Sequence, residues 1–306
     1  MLERAGPPAE ALRWVERTAG RGATTVGWRR LRGGIASVVH RVRLAYIDGS
    51  HGSVVLRRFL RDDWGDPSVF IAEEVQVLRA LENADIGVAV PHLLGASITG
   101  EGAGGRPALL MEHVPGRVHL RPRDGAHWLG QMAHTGARIH QVSIDAKPFE
   151  SWLEIEKLRV PSNATRPDLW RVAHGALREQ SPSYTPRLVH RDYQHFNLLW
   201  VRDRLAAVLD WGSACLGPAD VDVGHCRLNL AVLFSPEWAE EFLRMYEAEA
   251  GAMVDPWWDL AELCVYGDDW PRFIPMQVAG RTSVDTAGMT ARVEAVIEAT
   301  LDRLSN

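Results

Sequence analysis

Between residues 24 and 60 the chain runs as short apolar, β-branched stretches broken by glycine. Thr24-Thr25-Val26-Gly27-Trp28, Val38-Val39-His40-Arg41-Val42-Arg43-Leu44 and Ser53-Val54-Val55-Leu56-Arg57-Arg58-Phe59-Leu60 are strand-like, and the segments between them carry Gly33-Gly34 and Asp48-Gly49-Ser50. Such runs bounded by turn residues predict a three-strand antiparallel meander whose first turn is glycine-rich. A short helix is expected before it, over 8–17. After it, Ile71, Val75, Leu78 and Leu81 recur at helical spacing and predict a helix over 70–81. Two more strands follow, over 90–96 and 108–112, the second running into the Pro115-Gly116 turn.

Beyond Pro122 the period becomes helical, with helices expected over 126–139, 148–158, 168–178, 238–249, 257–266 and 290–304. One β-rich interruption stands among them, at 188–190, 198–201 and 206–210. The pattern predicts an α+β chain with a small β-rich N-terminal lobe (1–114), a larger, mainly helical C-terminal lobe (115–306) and a hinge near 112–117.

Composition acts mainly by exclusion. The chain has 306 residues, 46% of them hydrophobic and 24% charged, which suits a folded chain with a large core and no disordered or coiled-coil class. No apolar run reaches the ~18 residues of a membrane span, and residues 1–8 hold no apolar signal core, so a cytoplasmic location is expected. Cys215, Cys226 and Cys264 match no zinc or redox spacing and are read as buried free thiols. Of 34 basic residues only Lys147 and Lys157 are lysines, and neither sits in a Gly-Lys-Ser/Thr run, which excludes a P-loop. The glycines within 102–105 complete no dinucleotide fingerprint, because Pro107 stands where the third glycine belongs.

Charge is uneven along the chain. Residues 236–306 carry 14 acidic and 5 basic side chains, and the rest of the chain is net positive. An acidic C-terminal third disfavours nucleic acid and suits a cationic partner, unless it reflects no more than solvated helix surfaces.

The interruption carries the chemistry. It reads His190-Arg191-Asp192-Tyr193-Gln194-His195-Phe196-Asn197, with Asp210-Trp211-Gly212 thirteen residues on. Phosphoryl transfer needs a carboxylate to receive the hydroxyl proton and oxygen donors that hold Mg²⁺ on the ATP phosphates. Asp192 fits the first role, Asn197 and Asp210 fit the second, and His190 would brace the loop.

On these residues the chain resembles the aminoglycoside phosphotransferase family, small-molecule kinases of protein-kinase-like, bilobal fold. The similarity runs from about 30 to 230 and is strongest over 188–224, where Gly217-Pro218-Ala219-Asp220-Val221-Asp222 completes the pattern. The resemblance implies ATP-dependent phosphorylation of a hydroxyl in a cleft between lobes, with ATP and Mg²⁺ as cofactors. It implies that Asp222, with Asp220 as second choice, holds the catalytic loop. It further implies that Gly33, Gly34 and Ser37 belong to a flap over the phosphates, and that Glu112, His113 and Val114 form the adenine-binding hinge. Arg57 falls where the family's phosphate-binding lysine is expected, which is a departure. Its partner would be Glu74, with Glu73 one position away.

Only nine residues separate Gly212 from Asp222 and no Ala-Pro-Glu element follows, so there is no peptide-docking segment and a protein substrate is disfavoured. Gln194 stands where serine/threonine kinases carry a lysine. The acceptor is expected to be cationic and to lie against the segment holding Asp255, Trp257, Trp258, Asp259, Glu262, Asp268, Asp269 and Trp270, with Trp257 and Leu260, three apart, read as helix packing and Asp268, Asp269 and Trp270 as the contact residues. An aminoglycoside or other amino-sugar antibiotic leads. A macrolide, a choline-like alcohol, homoserine and a sugar stand as alternatives, as does an inactive nucleotide-binding module of the same fold. No nucleic acid or membrane partner is expected, and the chain is expected to be a monomer or homodimer.

Overall fold

A computed structural model of the chain describes residues 6–31, 37–60, 66–267, 270–279 and 281–305, and for 270–272 the backbone alone. The chain divides into two compact units. The first comprises 1–84, 89–115 and the short stretch Trp211–Ser213. The second holds 85–88, 116–210 and 214–306.

In the first unit α1 (Ala9–Ala19) turns Ala11, Trp14 and Val15 inward, three and four residues apart, and stops at Gly20, whose φ of 67° an L side chain rarely adopts. Strands β1 (Thr24–Arg30), β2 (Ser37–Ala45) and β3 (His51–Phe59) follow as an antiparallel meander. Ser37 lies opposite Phe59 and Ala45 opposite His51, and the Asp48 carboxylate accepts the Ser50 N–H at 2.9 Å to set the turn between them. Next come α2 (Pro67–Leu81), β4 (Leu93–Ser97) and β5 (Ala108–Glu112), giving a sheet in the order β1-β2-β3-β5-β4. Alternation decides the faces: Val42, Leu44, Val54, Leu56, Ala108 and Leu110 point to one side and pack against Trp14 and Val15. Asp66 caps α2 by accepting the Ser68 N–H, with Pro67 at the first helical position.

The second unit is mainly helical. It begins with α3 (Gly125–Ile139), capped by Asp124, and α4 (Pro167–Leu177). Strand β6 (Arg187–Val189), the hairpin β7 (Leu198–Val201) and β8 (Arg204–Val208), and β9 (Cys215–Gly217) form two small two-stranded sheets, β6 with β9 and β7 with β8. Arg202 and Asp203 turn the hairpin with φ of 49° and 61°, the left-handed pair a two-residue hairpin turn requires. The chain closes with α5 (Asp220–Leu233), α6 (Pro236–Ala250), α7 (Pro256–Cys264), α8 (Trp270–Val278) and α9 (Met289–Leu304). The architecture is α+β. Cys215, Cys226 and Cys264 are buried and free. Among the described residues no helix is long and apolar enough to cross a membrane.

Two expectations need correction. The helix read over 148–158 is a single 3₁₀ turn at Ile155–Lys157, because the Phe149 N–H is donated to Leu216 O of β9 at 3.1 Å, which holds the segment extended beside that strand. Helix α5 was not anticipated: every residue from Val221 to Val232 is buried, so it presents no polar face and no amphipathic stripe to read.

Candidate active site

The loop after β6 is fixed by helix α5. Strand β9 pairs with β6 and leads through Pro218 into α5, which sets Asp222 in the first turn of that helix under the loop. Its carboxylate accepts the backbone N–H of His190 at 2.6 Å and of Arg191 at 2.7 Å. His140, just after α3, donates to it at 3.1 Å and takes the Tyr246 hydroxyl on its other ring nitrogen at 2.7 Å. Asp222 is 1% exposed. Burial alone raises its carboxyl, but the hydrogen bonds and the neighbouring imidazoles outweigh that and hold it below the usual aspartate range. These bonds hold Arg191 at φ 70°, a strained backbone for a side-chain-bearing residue. Asp220 is engaged elsewhere, accepting the Asp255 N–H at 3.0 Å.

His190 ties the loop to β8. Its Nε2 donates to Leu209 O at 2.8 Å and its Nδ1 accepts the Asp192 N–H at 3.2 Å. Tyr193 and His195 turn inward: the Tyr193 hydroxyl donates to Met132 O at 2.6 Å, and His195 is fully buried against Trp128, Phe196 and Phe234. Burial and the nearby His225 push His195 down to about 3, so it is neutral. Asp192 turns the other way and keeps about a third of its side chain exposed.

Three donors converge on the Asp192 carboxylate. Oδ1 takes His225 Nε2 at 3.0 Å together with the Gln194 amide, and Oδ2 takes Asn197 Nδ2 at 2.7 Å. Burial works to raise this carboxyl, and His225, His190 and Gln194 outweigh it, so Asp192 stays below the ordinary range and is ionised at neutral pH.

Asn197 and Asp210 flank the open end of the β7–β8 hairpin, one just before β7 and the other two residues after β8. Leu198 lies opposite Val208, and the Leu209 N–H is donated to Asn197 O at 2.9 Å, which brings the backbone of 209–210 beside Asn197. Asp210 has φ 65°, a second strained position in the same loop cluster. Because Asn197 spends Nδ2 on Asp192, its remaining polar side-chain atom is an oxygen. An amide oxygen and a carboxylate are the hard donors Mg²⁺ takes, and an ion riding on phosphates needs only one or two of them. The described residues include no cluster of three or more His, Cys, Asp or Glu that would hold a metal alone. The donor set fits Mg²⁺ brought in with a nucleotide.

In the first unit Arg57 of β3 donates from Nη1 to both oxygens of Glu74 of α2, at 2.8 and 3.0 Å, and from Nε to Ser37 Oγ at 2.9 Å. Glu74, not Glu73, makes this pair. A Cβ at Gly212 would lie 3.4 Å from Glu74 Oε2, so a glycine keeps this approach clear. Glu112 ends β5 with its side chain exposed and its N–H donated to His92 O at 2.9 Å, and His113 and Val114 continue half-buried. Gly33 and Gly34 lie outside the described residues, as do Asp268 and Asp269, and Trp270 is described only as the first residue of α8.

Much of the expected acceptor wall is structural. Asp255 caps α7 by accepting the Trp257 N–H at 2.8 Å, and Trp257 and Trp258 are buried. Asp259 is 0% exposed and pairs with Arg227 and with Arg303, the latter at 2.9 Å, while Glu262 pairs with Arg191 at 2.8 Å. Sequence reasoning missed His225. One signal pointed to it: it follows Asp222 by three residues, which on a helix places both on one face.

The sequence matches the model of the phosphotransferase enzyme family, APH, over residues 28–257. The chain belongs to this family. It is a small-molecule phosphotransferase with a protein-kinase-like fold. Among solved structures it is similar to the aminoglycoside phosphotransferase APH(2'')-Ib bound to ADP, at 17% identity and a TM-score of 0.57, over 97% of this chain and 99% of that one. It is also similar to the macrolide 2'-phosphotransferase MphH from Brachybacterium faecium, at 20% identity and 0.56, over 95% and 98%. A third is a thermostable mutant of APH(4)-Ia in ternary complex with ADP and hygromycin B, at 15% identity and 0.61, over 96% and 98%. Among curated proteins none matches the sequence.

Proposed function

We propose that the protein transfers the γ-phosphoryl group of ATP to a hydroxyl of a cationic small molecule, with an aminoglycoside or other amino-sugar as the acceptor class. The observation that carries this reading is the Asp192 carboxylate, ionised, part-exposed and bonded to Asn197, in a chain of the phosphotransferase family. Asp192 accepts the hydroxyl hydrogen and aims the oxygen. Since its pKa is held low, it receives the proton late, as the phosphoryl group transfers through a loose transition state. Asn197 and Asp210 would hold Mg²⁺, which supplies neutralisation of the phosphate charge. Arg57, braced by Glu74, takes the phosphate-binding role of the family lysine, since a guanidinium serves a carboxylate and a phosphate at once. Gly33, Gly34 and Ser37 cover the phosphates, and the backbone of Glu112, His113 and Val114 takes the adenine. His190 and Asp222 hold the loop, and Asp268, Asp269 and Trp270 take the amino groups of the acceptor.

The acceptor class is supported by the acidic excess of residues 236–306 and by the aminoglycoside enzymes among the similar structures. The test is a panel of aminoglycosides, macrolides and metabolite alcohols incubated with Mg·ATP and scored by mass for an added phosphoryl group. Gain on an amino-sugar compound is expected. Gain confined to a macrolide reassigns the acceptor, and no gain on any compound with nucleotide bound makes the chain a binding module.

A further inference from the structure

We propose that His225 is the positioning residue of the reaction, a cation at the end of a buried chain of alternating charges that holds Asp192 in place and leaves one lone pair of Oδ2 for the acceptor hydroxyl. The proposal rests on the role given to Asp192 above.

The chain starts at Arg191, 2% exposed, whose guanidinium carbon lies 4.7 Å from the ring centre of Phe149 and 4.0 Å from that of Trp152. Arg191 Nη1 meets Glu262 Oε1 at 2.8 Å, Glu262 Oε2 faces His225 Nδ1 at 3.8 Å, and His225 Nε2 meets Asp192 Oδ1 at 3.0 Å. Signs alternate along the row only if His225 carries its proton. Glu262 requires the same, because its buried Oε2 has no hydrogen-bond donor and a carboxylate oxygen there needs a nearby positive charge.

Among the described residues, the charged groups facing His225 favour its protonated form. Asp192 and Glu262 are anionic and lie on opposite sides of the ring. The Tyr266 hydroxyl, after α7, sits 3.4 Å from Nδ1, where it can accept, and Asn229 Nδ2, on α5 itself, lies 3.3 Å from Nε2 and donates to His225 O at 2.9 Å. Among the described residues His195 is also close enough to couple to His225, and it is neutral. Burial pushes His225 down, but its bond to Asp192 and the negative charges of Asp192 and Glu262 outweigh that and raise it to about 9.

The lone-pair count follows. An ionised carboxylate offers about four acceptor sites. His225 and Gln194 fill Oδ1, Asn197 fills one site of Oδ2, and one site of Oδ2 is left.

The experiment uses the full chain and His225→Asn, with His225→Gln as a second variant should the first fail to fold. Mg·ATP affinity is expected to stay as in wild type, while kcat falls on the order of 100-fold, the low end of what a positioned proton-handling group contributes. Wild-type kcat is expected to drop above about pH 9, where His225 loses its proton, and the variants should show no such limb. An unchanged kcat, or a variant that keeps the limb, overturns the proposal. A histidine-selective NMR titration reads the pair without any turnover. Asp192→Asn should lower the His225 midpoint by about a unit or more, and an unmoved midpoint overturns the coupling. A wild type with the coupling intact but no transfer to any acceptor overturns the activity reading, and the positioning role with it.

Discussion

Two arginine–carboxylate networks lie in the helical unit, and they end differently. Arg227, fully buried, pairs with Asp259 and with Glu240, and Arg303 reaches the same Asp259 oxygen at 2.9 Å with Thr300 at 3.3 Å. That network is centred on a carboxylate that is 0% exposed and comes to the surface at Glu240, 39% exposed, where its partner is Arg227 itself. The Arg191–Glu262–His225 row is as deeply buried and runs out onto Asp192, a third exposed, with an acceptor site left over. The Asp259 network joins α5, α6, α7 and α9 and acts on stability. The Glu262 row holds a charge at a fixed place and acts on a reaction. Counting buried ion pairs does not separate the two; the group each ends on does.

The comparison breaks most sharply at Asp259. Asp259→Ala leaves the buried Arg227 and the part-exposed Arg303 without their shared partner, and breaking a buried pair costs about 3–5 kcal/mol. Denaturant unfolding should register a loss of that size, with nucleotide affinity of the remaining folded protein unchanged. A loss below about 1 kcal/mol would place the Asp259 network outside the stability account.

A smaller effect is expected in the first unit, where the Arg57–Glu74 pair is part of neither network. Arg57→Gln should raise KM for ATP by about tenfold, the worth of one charge-assisted hydrogen bond of roughly 1.5 kcal/mol. Arg57→Lys restores the family residue and should keep KM near wild type. Equal effects of the two substitutions would remove Arg57 from phosphate binding.

The smallest effect is the pH dependence of stability, which only the row containing a histidine should show on the alkaline side. His225 is raised from 6.5 to about 9, so its contribution is complete below 6.5 and is lost as pH rises toward about 9. Asp222 is lowered, so its contribution is complete above the ordinary aspartate value of 3.8 and is lost as pH falls through its folded value. Melting temperature against pH should therefore decline at both ends, and His225→Asn should flatten the alkaline decline. A variant curve parallel to wild type there would contradict the charge assigned to His225.

Most of the fold was legible because its elements are one-sided. The strands around Val42 and Val54 alternate, and α2 carries an apolar stripe from Ile71 to Leu81, so period alone located them. Helix α5 was not legible, since a helix buried all round has no stripe, and it is the element that bears both Asp222 and His225. The run from His190 to Asn197 points to the residues proposed to carry chemistry, because their types and spacing are visible in the chain. It does not show what sets their state. Glu262 and Asp259 looked like acceptor ligands as acidic residues in an acidic segment, and only their arginine partners, 71 and 32 residues away, disclose them as internal counter-ions.

The measurement that bears most directly on the central assignment is phosphoryl transfer from Mg·ATP to an amino-sugar acceptor, by wild type and Asp192→Ala, with nucleotide affinity taken on the same samples. Wild type should phosphorylate the acceptor. The variant should bind nucleotide as tightly, because Asn197 and Asp210 remain, and transfer slower by about 10²–10⁴-fold, the range for loss of a positioned general base. Transfer at the wild-type rate by Asp192→Ala would contradict the account.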